Sequence, residues 1–88
     1  MVISGMYIET IEGAAVEVAM QLKNLEGVEV HHIEEETNKI VLTLEAHSVD
    51  KSYHIADTFK LIEGVLSTCL VYSNFEEDPF YKKADGFQ

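Results

Sequence analysis

The three residues Glu-Gly-Val occur twice in this chain of 88 residues, at 26–28 and again at 63–65. Each copy follows a segment with the apolar spacing of a helix and precedes a segment rich in strand-forming residues. Glycine adopts the left-handed backbone conformation that commonly ends a helix, and valine favours strands. The repeat therefore predicts that two helices end at Gly27 and Gly64 and that a strand begins directly after each.

The segments around these joints predict the element order β-α-β-β-α-β, with strands at about 2–9, 28–34, 39–46 and 65–73. Thr10 and Ser48 are the predicted N-caps of the two helices. The apolar residues of each helix recur every three or four positions: Ile11, Ala15, Val18, Leu22 and Leu25 in the first, and Val49, Tyr53, Ala56, Phe59 and Ile62 in the second. Right-handed crossovers then favour a ferredoxin-like α+β sandwich, a four-stranded antiparallel sheet in the order 4-1-3-2 with both helices on one face.

The chain divides into one predicted domain and a short extension. Residues 1–74 carry all of the periodic segments and form the predicted ferredoxin-like domain. Residues 75–88 hold charged and aromatic residues and the only proline, without apolar periodicity. Such a segment cannot bury a core, so we predict a flexible acidic and aromatic C-terminal tail.

The charge balance limits the partners. Sixteen Asp and Glu stand against six Lys, with no Arg, and the net charge is −10. Nucleic-acid binding needs clustered cations, so neither a nucleic acid nor an anionic membrane surface is expected, and a basic partner is favoured. Cys69 is the only cysteine, and neither a secretory signal nor a run of transmembrane length is visible. These features predict a cytoplasmic protein without membrane insertion.

Residues that could perform chemistry are few. His31 and His32 are adjacent on a predicted strand, so they should point to opposite faces and not bind one metal together. His54 and Asp57 are spaced to touch on a helix, but no nucleophile is placed beside them. We therefore expect no enzyme, no catalytic residue, no metal and no cofactor.

The sheet face without helices is the predicted binding surface. Strand 1 and strand 4 carry bulky residues on both sides, so the pattern alone leaves their facing open. An exposed apolar face suggests a docking surface for a peptide or a second protomer. The residues predicted on this face are Ser4, Met6, Ile8, Val41, Thr43 and Glu45, with Glu34, Glu35 and Glu36 at the hairpin tip attracting basic groups.

The segment EGVLSTCLVYSNFEE, preceded by IADTFKLI, resembles the C-terminal half of the NapD family, and VISGMYIE and LEGVEV resemble its N-terminal half in the same order. The resemblance covers about residues 2–77; Gly5 departs from the larger apolar residue expected there. It implies a ferredoxin-like, cytoplasmic assembly chaperone for the catalytic subunit of periplasmic nitrate reductase. Such a chaperone binds the twin-arginine signal peptide of that subunit and delays its export until the molybdenum cofactor is loaded. An ACT-like or dimerising regulatory module is the alternative, and a homodimer stays open.

Overall fold

A computed structural model describes residues 2–74, which form a ferredoxin-like fold. Its elements are β1 (Val2–Thr10), α1 (Ala15–Leu22), β2 (Val28–Glu34), β3 (Lys39–Ala46), α2 (Val49–Phe59) and β4 (Val65–Asn74). The four strands are antiparallel in the order β2-β3-β1-β4, which confirms the predicted topology. The predicted tail at 75–88 lies outside the described residues.

Only one of the two predicted helix caps is correct. Ser48 is the N-cap of α2, and its Oγ accepts a hydrogen bond of 3.2 Å from the backbone N–H of Lys51. Thr10 is instead the last residue of β1, and α1 begins five residues later, at Ala15, with Ala14 as an N-cap that makes no side-chain hydrogen bond. The prediction for Thr10 is wrong because β1 extends further through its pairing with β4 than its sequence indicates.

The two Glu-Gly-Val joints have the same backbone geometry. The φ angles of Gly27 and Gly64 are +83° and +100°, as the repeat predicts. However, α1 ends at Leu22 and α2 at Phe59, so neither glycine ends its helix directly. In each joint, the carbonyl two residues before the glycine accepts a hydrogen bond from the valine that follows it, at 3.2 Å in the first joint and 3.1 Å in the second. Each glycine thus occupies the third position of a turn, where a type II turn requires a positive φ.

Each joint is tied to a strand of the other half of the fold. The carbonyl of Gly27 accepts a hydrogen bond of 2.7 Å from the N–H of Glu45 in β3. The carbonyl of Gly64 accepts one of 2.9 Å from Ile11, directly after β1. The repeated sequence therefore marks two equivalent points at which the halves of the fold are joined.

The core lies between the helices and one face of the sheet. The fully or almost fully buried residues there are Met6, Ile8, Ala15, Val18, Ala19, Leu22, Ile40, Leu42, Leu44 and Phe59. Tyr53 and Ile11, both predicted in the helical stripes, are 62% and 48% exposed. The two positions are wrong because Ile11 precedes α1 and α2 turns Ser52 and Phe59, rather than Tyr53, towards the sheet.

The open face of the sheet

Residues Ser4, Met6 and Ile8 lie on the helix side of β1, not on the face predicted for them. Each pairs with a buried residue of β3, and directly paired residues share one face of a sheet. They are 4%, 5% and 0% exposed. The facing predicted for these three residues is therefore wrong: the pairing of β1 with the unambiguous apolar row of β3 decides which side of β1 is buried.

The opposite face carries neither helix, and we call it the open face. It is the side of β3 that holds Val41, Thr43 and Glu45, as predicted, while their neighbours Ile40, Leu42 and Leu44 are buried. The pairing of the other strands with these residues gives the full set. The open face consists of Ile3, Gly5, Tyr7 and Glu9 of β1, Glu29, His31, His32 and Glu34 of β2, Lys39, Val41, Thr43 and Glu45 of β3, and Ser67, Cys69 and Tyr72 of β4.

Gly5 and Tyr72 form a cross-strand pair on the open face. The two residues are register partners, and a side chain on Gly5 would overlap the ring of Tyr72. The ring therefore lies where the Cβ of any other residue would be, which is how an aromatic side chain covers a glycine on a neighbouring strand. Gly5 departs from the expected larger residue because Tyr72 already supplies the apolar bulk at this position.

A β-bulge brings both histidines of β2 to the open face. The pairing of β2 with β3 shifts between Val30 and His32, and a bulge places two residues of one strand opposite one of the other. His31 Nε2 lies 2.8 Å from the Oγ1 of Thr43, and His32 Nε2 lies 3.5 Å from Glu34 Oε2. The expectation of opposite faces is wrong because strict alternation fails at a bulge.

One end of the open face is an acidic depression. It has a volume of about 330 Å³ and is lined by the side chains of Ile3, Glu29, Thr43 and Glu45 together with the first joint. His31 Nδ1 lies 3.8 Å from Glu29 Oε2, while Glu45 is exposed. Two carboxylates at one depression suit a cationic group, which can form charge-assisted hydrogen bonds with them.

The other end of the open face has a mixed charge. The Nζ of Lys39 lies 5.3 Å from the centre of the Tyr7 ring, a cation–π distance. Glu9 Oε1 accepts a hydrogen bond of 2.9 Å from Ser67 Oγ. Glu34 Oε1 accepts one of 3.0 Å from Thr37 Oγ1. Over the whole open face four carboxylates stand against one lysine, so the face is negatively charged.

The three glutamates of the hairpin tip are not all part of the open face. Glu34 is the last residue of β2, whereas Glu35 and Glu36 lie in the exposed turn that follows. Lys39 is the register partner of Glu34 at the tip, and Thr43 lines the depression. These two residues of β3 are four positions apart, which is about 13 Å along the strand. The predicted site therefore separates into an acidic tip and a distinct acidic depression.

Tyr7 and Cys69 are register partners on the open face. A hydrogen bond with the Cys69 side chain is the main cause that raises the pKa of the Tyr7 hydroxyl, and the electrostatic interaction with the same side chain raises it further. The folded state therefore binds this proton more tightly than the unfolded state. This contribution to stability is complete below the ordinary tyrosine pKa of about 10 and is lost as the pH rises through the folded value.

The Tyr7 hydroxyl is expected to ionise at a higher pH than a free tyrosine, and Cys69→Ala should bring its pKa back towards 10 because the main cause is removed. An ultraviolet titration of the wild type and of Tyr7→Phe, taken as a difference, isolates this hydroxyl. A Tyr7 signal that does not respond to Cys69→Ala would contradict the assigned hydrogen bond.

Residues 2–74 contain neither a metal-binding cluster nor a membrane-spanning helix. No group of three or more His, Cys, Asp and Glu in this range lies close enough together to hold a metal ion. No helix in the same range is long and apolar enough to cross a membrane.

A larger groove lies on the helix side of the molecule. It has a volume of about 860 Å³ and runs between α2, the end of β3 and the first joint, next to His47, Lys51 and His54. It exists because α2 buries only Ser52 and Phe59 and so leaves space beside the sheet. The open face is the better candidate for an extended partner because it is a continuous surface with an apolar centre and an acidic end.

Apart from Glu34, the predicted site contains no β1 or β2 residue that lies on the open face. Ile3, Tyr7 and Glu29 belong to it, together with both histidines, and none of them is in the predicted set. The alternation of β3 could have indicated which side of β1 is open, because residues of β1 that pair with Val41 and Thr43 share their face. The register of that pairing, which selects Tyr7 and Gly5, has no local signature in β1.

Comparisons with known proteins agree with this fold. A family model described as NapD protein matches residues 1–77 of the chain. The fold is similar to the solution structure of the E. coli Tat proofreading chaperone protein NapD, with a TM-score of 0.76 and 21% sequence identity. That match covers 86% of this chain and 80% of the other. No curated protein matches the chain at a significant level.

Proposed function

The chain belongs to the NapD family, and we propose that it is a cytoplasmic Tat proofreading chaperone that binds a twin-arginine signal peptide on its open face. The proposed partner is the signal peptide of the catalytic subunit of a periplasmic nitrate reductase, held until the molybdenum cofactor of that subunit is loaded. In this proposal the protein binds and releases and performs no catalysis. The observation that carries the proposal is a sheet face without helices that is apolar in its centre and acidic at one end.

Apolar contact supplies most of the affinity in this proposal. Val41 and Tyr72 are 41% and 51% exposed, and Tyr7 and Ile3 are half-buried beside them. The apolar middle of a signal peptide would remove these side chains from water, at roughly 25 cal/mol for each Å² of apolar surface buried. The centre of the open face is therefore the proposed place of the apolar segment.

Charge orients the peptide in this proposal. Glu29 and Glu45 flank the acidic depression, whereas Lys39 lies over Tyr7 near the other end. At the first end no lysine accompanies the two carboxylates, whereas at the second end Lys39 offsets part of the charge of its register partners Glu9 and Glu34. We therefore place the arginine pair at Glu29 and Glu45, while Glu35 and Glu36 at the hairpin tip increase the rate of encounter through the overall field.

The test is a calorimetric titration with the signal peptide and with a version in which both arginines are glutamine. Two exposed ion pairs contribute about 1–2 kcal/mol, so the substitution should weaken binding about tenfold at low salt. At high salt the difference should shrink, because screening acts over about 8–10 Å at physiological ionic strength, whereas the apolar contribution persists.

Charge reversal on the protein locates the arginines. Glu29→Lys with Glu45→Lys should weaken binding of the wild-type peptide about tenfold or more, and should abolish its preference over the glutamine peptide. The matched control is Glu12→Lys with Glu63→Lys, which makes the same change in net charge at exposed positions away from the open face. Equal effects of the two double variants would show that only net charge matters and would contradict the placement.

Amide chemical shifts provide an independent map. Peptide addition should shift signals of β1 and β3 and leave the outer surfaces of α1 and α2 unchanged. Shifts confined to the groove beside α2, or no binding at micromolar concentration, would overturn the proposal. The former result would favour the small-molecule-binding ACT-like alternative.

A further inference from the structure

The two edges of the sheet differ in charge. β2 and β4 are the edge strands. β2 carries two glutamates beside its two histidines, and charged side chains on an edge strand discourage pairing with another chain. β4 is ten residues long, VLSTCLVYSN, and contains no Asp, Glu, Lys, Arg or His. In a chain of net charge −10, β4 is a neutral strand with an edge that no other strand of the described residues pairs with.

Apolar side chains project around the β4 edge. Leu66, Leu70 and Val71 are 67%, 52% and 63% exposed. On the helix side, Leu70 borders a cavity of about 220 Å³ together with Tyr53 of α2, which is 62% exposed. The helix layer thus covers β4 incompletely. The edge strand and the adjacent part of α2 therefore expose Leu70 and Tyr53 at one cavity, which Asp57 and Lys60 also line.

We propose that β4 is a self-association edge, which pairs antiparallel with β4 of a second copy about a two-fold axis. This pairing joins the two sheets into one of eight strands and leaves both open faces accessible. It supplies partners for the outward N–H and C=O groups of β4, and it brings Leu70 and Tyr53 of the two copies together. A two-fold axis makes the interface the same patch on both copies, so one self-complementary strand is sufficient.

Charge selects a second copy at this edge. Two chains of −10 repel each other over most of their surfaces, so self-association is favoured only where the surface is neutral. β4 meets that condition and β2 does not. The same reasoning predicts that added salt strengthens the dimer, because salt screens the repulsion between copies. Salt should weaken peptide binding, so the two associations respond in opposite directions and the dimer does not rest on the proposed function.

Sedimentation of the full chain at increasing concentration measures the association. The average mass is expected to rise from one chain towards two between micromolar and millimolar protein, and to rise earlier at high salt. Val71→Lys should abolish this rise, and Leu66→Lys is the second variant. The matched control is His32→Lys on β2, which adds the same charge and should leave the dimer intact. Circular dichroism melting confirms that each variant is folded.

Cross-linking identifies the edge directly. In a Cys69→Ser background, a single cysteine at 71, close to the two-fold axis that brings the two Leu70 side chains together, should be joined between copies by a short bis-maleimide, and a cysteine at 32 should not. A protein that remains monomeric at millimolar concentration and high salt would overturn the proposal. So would equal cross-linking at position 32, or a dimer that is insensitive to both lysine variants of β4.

Discussion

Gly27→Ala is expected to destabilise the protein by about 3 kcal/mol, although the same change at Gly64 should cost only about 1 kcal/mol. A methyl group at Gly27 would overlap the backbone carbonyl oxygen of Glu45, and this oxygen belongs to a paired strand that cannot move alone. The substitution also strains a backbone with φ of +83° and disturbs the hydrogen bond between the Gly27 carbonyl and the N–H of Glu45.

Gly64→Ala is the matched control because the turn sequence and the sign of φ are the same. Its methyl group would meet only side-chain atoms, Val18 Cγ2 at 3.2 Å and Ala14 Cβ at 3.4 Å. These atoms can shift by a few tenths of an ångström, so the backbone strain is the main cost. Urea unfolding of the two variants measures the difference, and equal losses of stability would contradict the assigned contact with Glu45.

Ile8→Ala is expected to cost about 3 kcal/mol, since it leaves a cavity in the core at a residue that is 0% exposed. Val41→Ala, on the open face at 41% exposure, should change the free energy of unfolding by less than about 1 kcal/mol. For peptide binding, the proposed function predicts that a change at Val41 has the larger effect. Val41→Asp should leave the protein folded and weaken the peptide about tenfold or more, because it places an unpaired charge in the apolar contact.

Urea unfolding and peptide titration of these variants test the two faces of the sheet together. A large loss of stability for Val41→Ala with a small one for Ile8→Ala would mean that the faces have been assigned the wrong way round. Normal peptide binding by folded Val41→Asp would contradict the central contact of the proposed site while leaving the fold unaffected.

Some features of the site could be predicted from local patterns. β3 alternates clearly, with Ile40, Leu42 and Leu44 buried, so the alternation alone places Val41, Thr43 and Glu45 on the other face. Ser48 could be identified as a cap because its hydroxyl acts on the backbone three residues away. These interactions depend on neighbours in sequence, and their signals are therefore local.

The residues whose facing was predicted wrongly are oriented by pairing between strands, not by local patterns. β1 carries large side chains on both sides, and Gly5 interrupts its apolar pattern, so no alternation identifies its buried side. The bulge in β2 is a property of its pairing with β3, and it reverses the expected direction of one histidine. Tyr72 covers Gly5 from a strand that lies far away in the sequence.

The sequence by itself determined the order of the elements, the positive φ of Gly27 and Gly64, the acidic charge and the buried row of β3. Each of these follows from local conformational preference or from composition. Only the tertiary structure decided which side of β1 joins the open face, where the bulge directs His31 and His32, and that Glu29 and Glu45 meet at one depression. The physical reason is register: a strand with bulk on both sides can pack either way, and its pairing with a strand that is apolar on one side selects the face that is buried.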